Sequence, residues 1–387
     1  MAFNETSSLA GLVKTAYDRY VEFALRSQPL IRSVADKRPT QQAMPGSSVV
    51  FSIYNDLAPV TGTLTETTDP DAVALSDVTP ITVTLNEYGN ASLVTRKLQL
   101  FSLSDVDPAV ADIIAFNMAD SLDGFAMTEL RGGTNVIYGG TKTSTVTVTD
   151  ADVITTANIR KTVAKLRSAK AVPREGNYYW CGIHPEVSHD LRAESGAGGW
   201  QDAHKLTDAA SSNIWAGSIG TYEGAMFIET PRMSRILDGA AQTALTATAL
   251  TTGGVSGAYT VGVATSSVAA INAEVGDNVG GTNVGASAKI ASIATSGANT
   301  IFTLTVANSG TVSGNITVTP VTAVYRTILA GKQALAEAVA QEPNVVIGPV
   351  TDKLMRFRPI GWYGVLGFKR YREAALYRLE TGSSISS

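Results

Sequence analysis

Cys181, His184, His189 and Asp190 fall within ten consecutive residues and together hold the residue types of a nucleophile–base pair. A thiol attacks an acyl carbon when an adjacent imidazole takes its proton and a third group orients the ring. The local sequence argues against that chemistry. Cys181 belongs to NYYWCGI, Asn177 to Ile183, an apolar run that reads as a buried strand, where cysteine behaves as an inert small hydrophobe. His184 precedes Pro185 at a strand-to-helix turn, and His189 falls on the helix that follows. His204 sits in a polar stretch with no HxxxH or cysteine-rich context for zinc. A single cysteine excludes an intrachain disulfide and any Cys-rich metal site.

Anion and cation loops fare no better. Gly196-Ala197-Gly198-Gly199 and Gly217-Ser218-Ile219-Gly220 lack the Lys-Ser/Thr of a P-loop and the GxGxxG spacing, and read as connections. The acidic run from Glu66 to Asp77 lacks the DxDxDG pattern and terminal Glu of a calcium loop. The expectation is a protein with no catalytic centre, no cofactor and no metal.

Two charged stretches remain. Residues 55–79 carry Asp56, Glu66, Asp69, Asp71 and Asp77 and no basic residue. A helix expected from about Thr156 to Lys170 carries Arg160, Lys161, Lys165, Arg167 and Lys170. A solvated helix face is the ordinary reading of such a run. Complementary patches on one chain also suit contacts between copies, so Glu66, Asp69 and Asp71 with Arg160, Lys161, Lys165 and Arg167 are the candidate assembly contacts.

The surrounding elements follow from period and punctuation. Leu9, Leu12, Val13, Ala16, Tyr20 and Ala24 recur at helical spacing before Pro29. GSSVVFSIY (Gly46 to Tyr54) and PITVTLNEY (Pro80 to Tyr88) read as strands, and the acidic stretch between them reads as the tip of a two-stranded arm. Asp107-Pro108 signals an N-cap and first helical residue, with Val110, Ile113, Ile114, Met118, Leu122 and Phe125 on one face and Gly132-Gly133 at the end. A strand is expected at Ser144 to Thr149, and a last strand within Tyr371 to Leu379 with its arginines outward.

Composition breaks sharply between about Ala240 and Thr322, where the only charged residues are Glu274, Asp277 and Lys289. AYTVGVA, AKIASIA, TIFTLTVA and GNITVTP read as short strands between Gly, Asn and Ser turns. Such spacing predicts a small β-sandwich or barrel inserted into a more charged body. The net charge of −4 opposes a general affinity for nucleic acid. The start MAFNETSSLAGLVKTAYDRY lacks the pattern of a secretory signal, and no run approaches a spanning helix, so a chain folded in a cytoplasm is expected.

TPRM (Thr230 to Met233), VYRTILAGKQAL (Val324 to Leu335), and the closing IGWYGVLGF followed by ALYRLE carry a resemblance, in that order, to the major capsid protein of tailed phages. Within that group the chain looks most like the coat proteins of N4-like phages. The resemblance implies an α+β, Hong Kong 97-type fold. Its parts would be an N-terminal arm (1–45), an extended E-loop (46–95), a peripheral domain with a spine helix (96–154), an axial domain (155–239), an inserted β-rich domain (240–322), and return strands (323–387). It further implies pentamers and hexamers closing into an icosahedral shell around double-stranded DNA, assembled in a bacterial cytoplasm. Partners would be a separate scaffolding protein, a portal, and a decoration protein unless the insertion stands in for one; DNA would touch the inner face without specificity, and no membrane is involved. The rivals are an encapsulin-like nanocompartment shell, a β-rich adhesin or tail protein, and an enzyme using Cys181 and His184.

Overall fold

A computed structural model describes residues 26–39, 48–53, 56–57, 59–63, 66, 74, 79–101, 106–196, 199–200, 218–249, 254–265, 268, 273–350, 354 and 356–385. The amphipathic pattern from Ser8, apart from its last two residues, lies outside them, as do Asp69, Asp71, Asp77 and His204. The chain forms two units. One takes the described parts of Met1–Pro29, Lys37–Phe125 and Glu337–Lys369; the other takes Leu30–Asp36, Ala126–Ala336 and Arg370–Ser387.

The first unit is built on a four-stranded sheet in the order Ala35–Pro39, Leu335–Ile347, Phe357–Arg370, Asn86–Thr95. The closing aromatic segment is the strand Phe357–Arg370, antiparallel to Asn86–Thr95 over ten paired residues, from Phe357 opposite Thr95 to Leu366 opposite Asn86. Its glycines have a packing reason. A Cβ on Gly367 would lie 2.1 Å from the Thr84 carbonyl oxygen, and one on Gly361 would lie 2.8 Å from the Asn90 carbonyl oxygen. Between them, Trp362 is buried with Val94, Ile114 and Ile360, and its Nε1 donates to Asn117 Oδ1 at 2.9 Å.

Asn117 belongs to the long helix Val106–Leu130, which starts before Asp107, so Asp107 is not its cap. Val110, Ala111, Ile114, Met118, Leu122 and Phe125 pack toward this unit's core. Ile113, expected on the same face, is instead 49% exposed. Separately, Ser48–Ile53 and Thr79–Thr84 form an antiparallel pair, with Phe51 and Val83 buried. These flank the acidic stretch, but the expected strand Pro80 to Tyr88 is divided: after Thr84 the chain passes into Asn86–Thr95 of the four-stranded sheet.

The second unit has a seven-stranded mixed sheet ordered Val136–Tyr138, Leu376–Thr381, Val321–Ala330, Tyr179–Ile183, Ala225–Glu229, Ser218–Tyr222, with Arg235–Ala241 also paired to Val321–Ala330. Helix Thr156–Ser168 is capped by Thr155, whose side chain accepts from the Asn158 N–H. It buries Ile159, Val163 and Leu166 in the same cluster as Val187 and Leu191 of helix Pro185–Ala193. The first helix ends at Ser168; Lys170 adopts a left-handed φ of 56° and leaves the basic face. Residues 144–149 form a turn of 3-10 helix at Thr145–Thr147 rather than a strand, because Val148 and Thr147 fold back onto the carbonyls of Thr145 and Ser144.

The last strand begins at Leu376, after a 3-10 turn at Glu373–Ala375. Arg378 does not face outward. Its Nε lies 2.8 Å from Oε1 of Glu380, which is fully buried and also pairs with Arg326 Nε at 2.9 Å. A buried carboxylate is tolerable only when charge-paired in this way, and that requirement turns the arginine inward.

From Leu245 to Thr319 six strands form a separate sheet in the order Leu245–Thr248, Asn315–Thr319, Asn278–Gly281, Ala288–Ser296, Asn299–Leu304, Thr260–Ala264. A bridge between Ala249 and Val263 joins its two edges, closing a small barrel. Val261, Val263, Ile290, Phe302, Ile316 and Val318 fill the interior. The four strand motifs legible in the sequence are four of its six staves.

Candidate assembly surfaces

The Cys–His cluster does not form a catalytic centre. Cys181 is fully buried within the seven-stranded sheet, and burial raises its thiol far above the ordinary value, so no thiolate forms near neutral pH. His184 serves as the N-cap of helix Pro185–Ala193: Nδ1 accepts from the Glu186 N–H at 3.3 Å, and its ring lies 5.0 Å from that of Tyr325. Burial holds its pKa below the usual value, against a weaker opposite pull from Glu186. Asp190 accepts from the Ser384 N–H at 2.9 Å and from the Ser384 hydroxyl. Burial works to raise its pKa, and the hydrogen bonds from Ser384, Ser383 and His189 outweigh it, leaving the carboxyl below its usual range. These groups cap a helix and fasten the chain's last described residues.

The four basic candidates separate into distinct roles. Arg160 Nη2 donates to the Tyr222 hydroxyl at 2.9 Å, and Nε lies 3.4 Å from Glu223 Oε1. Arg167 lies over Gly224, whose φ of +89° suits a residue without a side chain. Lys161 and Lys165, one turn apart, are exposed and border a groove of about 670 Å³ whose other wall is the segment 134–143. Sequence reasoning missed Lys142, which lines this groove from the opposite side. The parallel pairing of Val136–Tyr138 with Leu376–Thr381 brings that loop near the helix, and no local pattern signals so distant a pairing. Of the acidic candidates, Glu66 is described and exposed.

The barrel has a charged foot. Lys289 Nζ lies 2.8 Å from Asp238 Oδ1, and Arg235 Nη2 lies 3.4 Å from Glu274 Oε2. Asp277, 2% exposed, accepts from the Val321 N–H at 3.3 Å and from the Glu274 N–H at 2.8 Å. All three charged residues of the segment 240–322 thus engage where the barrel meets Arg235–Ala241 and Val321–Ala330. The chain leaves and re-enters at one point, where the Gln242 N–H donates to the Pro320 carbonyl at 2.8 Å.

Two thirds of the chain, residues 128–381, match the family described as phage capsid protein. The chain belongs to the phage capsid protein family. It is a bacteriophage structural protein, a component of the virion shell. Its fold is similar to the capsid of Ralstonia phage GP4 (TM-score 0.61, 13% identity, 96% of each chain). It is equally similar to the capsid of cyanophage Pam1 (TM-score 0.61, 13% identity, 97% of this chain and 98% of that one). The head of the Helicobacter pylori bacteriophage KHP40 matches at a TM-score of 0.58 and 13% identity, over 98% of each chain. No curated protein matches the sequence. The family match favours the phage capsid reading over the nanocompartment one, and the described residues are organised for packing and pairing.

Proposed function

We propose that this capsid protein is the major shell subunit, of the Hong Kong 97 type. Pentamers and hexamers of it close into an icosahedral head around double-stranded DNA. The family match over 128–381, with phage heads matched along nearly the whole of both chains, is the observation that carries this reading. In its terms the helix Val106–Leu130 is the spine of a peripheral domain, the pair Ser48–Ile53 and Thr79–Thr84 is the base of an E-loop, and the seven-stranded sheet belongs to the axial domain. The closed barrel is an addition to the minimal fold, carried on the outside, where its uncharged Thr/Ser/Gly surface braces neighbouring capsomers. The likeness of the closing segments to N4-like coat proteins is part of the same reading.

Assembly takes place in the bacterial cytoplasm with a separate scaffolding protein and a portal, and DNA is met on the inner face without specificity. Contacts between copies pair Glu66, Asp69 and Asp71 with the basic helix that carries Arg160, Lys161, Lys165 and Arg167. A shell subunit needs self-complementary surfaces, and opposite charges on one chain supply them. Cryo-electron microscopy of the purified chain, alone and with its scaffolding protein, tests the proposal. Closed uniform shells are expected. A chain that stays monomeric at high concentration under both conditions refutes it.

A further inference from the structure

The groove beside helix Thr156–Ser168 is preformed and cationic. Its loop wall is pinned by Asp152, whose Oδ2 accepts from the Thr149 N–H at 2.8 Å and from the Thr149 hydroxyl at 2.6 Å. The same residue's carbonyl oxygen and carboxylate stand where Cβ atoms on Gly139 and Gly140 would be, each 2.3 Å away, and Gly140 has a φ of +56°. Only glycine fits both positions, so the turn that presents Thr141, Lys142 and Thr143 has its backbone set before anything binds.

Lys161 and Lys165 face this turn, and the groove's lining includes no carboxylate. Among the described residues neither lysine has an ion-pair partner, and Lys142 reaches only Asp152, at 3.7 Å. Two lysines at i and i+4 repel each other, a cost that a bound anion would remove. The helix C-terminus accounts for Lys165 and Arg167, but not for Lys161 or for Lys142 on the facing loop.

We infer that this groove is the receptor for the acidic segment 64–79 of a second copy of the chain, with Lys142 as a third determinant beside Lys161 and Lys165. The inference rests on the assembly reading above and adds to it a specific seat. The acidic segment is the complementary ligand the sequence itself supplies: within residues 64–79 stand Glu66, Asp69, Asp71 and Asp77, with no basic residue among them. Thr141, Thr143 and Tyr377 supply hydroxyls that can meet the main chain of a bound segment. Nucleic acid is the less favoured occupant, because a groove with three cations on a chain of net charge −4 is thin for a phosphate backbone.

The test compares the full-length parent with K161E/K165E, K142Q, E66K/D69K/D71K, and the combination of the first and third sets. Particle formation is read by sedimentation and electron microscopy, with circular dichroism to confirm folding. Each single set is expected to raise the protein concentration needed for particles by at least about tenfold, roughly the loss of one charge-assisted contact per subunit, and the combination is expected to restore it. A synthetic peptide of residues 64–79 should bind the unassembled parent in a salt-sensitive manner and fail to bind K161E/K165E, a readout independent of whether shells close. Groove variants that assemble like the parent while the arm variant fails would overturn the groove and spare the assembly reading. Normal assembly with reduced DNA retention in the groove variants would overturn it in favour of nucleic acid, and a combined variant that folds but assembles no better than its components would overturn it outright.

Discussion

Removing residues 243–319 and joining Gln242 to Pro320 through an Asn-Gly turn should leave the seven-stranded sheet folded and nearly as stable as before. The chain exits and returns across one hydrogen bond, so the excision replaces a very long hairpin connection with a short one. Shrinking a loop of roughly 80 residues to about four lowers the entropic cost of closing it by about (3/2)RT ln 20, or about 2.7 kcal/mol. Against that stand the contacts at the foot. The ion pairs Lys289–Asp238 and Arg235–Glu274 are more than a third exposed and contribute at most about 1 kcal/mol together after solvent screening. The Asp277–Val321 hydrogen bond contributes about 1 kcal/mol, since the freed N–H meets water once the barrel is gone. Uncovering Leu237, which packs against Gly276, costs about 1 kcal/mol more. The terms offset to within about 2 kcal/mol. Urea unfolding followed by far-ultraviolet circular dichroism measures the difference. A variant that cannot fold, or whose transition is weakened by more than about 4 kcal/mol, would refute the claim that the barrel stands on the sheet rather than completing it.

Other substitutions probe the remaining elements. Gly367→Ala sets a Cβ against the Thr84 carbonyl and should cost about 2–3 kcal/mol. Gly124→Ala, in the long helix with open space at its Cβ, should stabilise by about 0.5–1 kcal/mol, both read as urea midpoints. Trp362→Phe removes the donor to Asn117 and should cost about 1 kcal/mol, whereas Trp362→Ala should cost about 3–5 kcal/mol; equal effects would mean that the hydrogen bond dominates the packing. His184 has a folded pKa below its unfolded value, so its contribution is present above about pH 6.5 and is lost as pH falls, when the unfolded chain takes up a proton that the folded chain resists. His184→Asn keeps a capping oxygen and should unfold with a weaker pH dependence between pH 7.5 and 5.5 than the parent; parallel curves would exclude His184 as the titrating group.

What was legible in the sequence was what local periodicity encodes. The helix from about Thr156 with its apolar stripe Ile159, Val163 and Leu166, and the alternation in TIFTLTVA and GNITVTP, all emerged as elements within about three residues of expectation. The failures share a cause. Ser144 to Thr149 alternates like a strand, yet its Thr145 hydroxyl donates to buried Glu380, and that tertiary partner outweighs β-propensity. Arg378 reads as an outward arginine on the last strand, and the carboxylate two residues on draws it inward. Ile113 fits the helical stripe by spacing, but the stripe is only wide enough for its neighbour Ile114. In each case the deciding contact is remote in sequence or specific in geometry, which hydropathy cannot see.

The same distinction bears on how this shell protein spends its few charges. With 17% charged residues, it has little to scatter over a solvated surface. Within the described residues many charges are placed at joints: Glu380 with Arg326 and Arg378 in the sheet, Arg370 with Glu129 and Glu373 at the end of the long helix, and Glu274, Asp277 and Lys289 under the barrel. A joint charge has a partner within its own fold and adds nothing to attraction between copies. Lys161 and Lys165, exposed and unpaired among the described residues, depart from that economy, as does the run of carboxylates in 64–79 with no basic residue among them. Among the described residues Lys161 and Lys165 form a cationic groove without an ion-pair partner, the sequence supplies a run of carboxylates in 64–79 with no basic residue among them, and a second copy carries both.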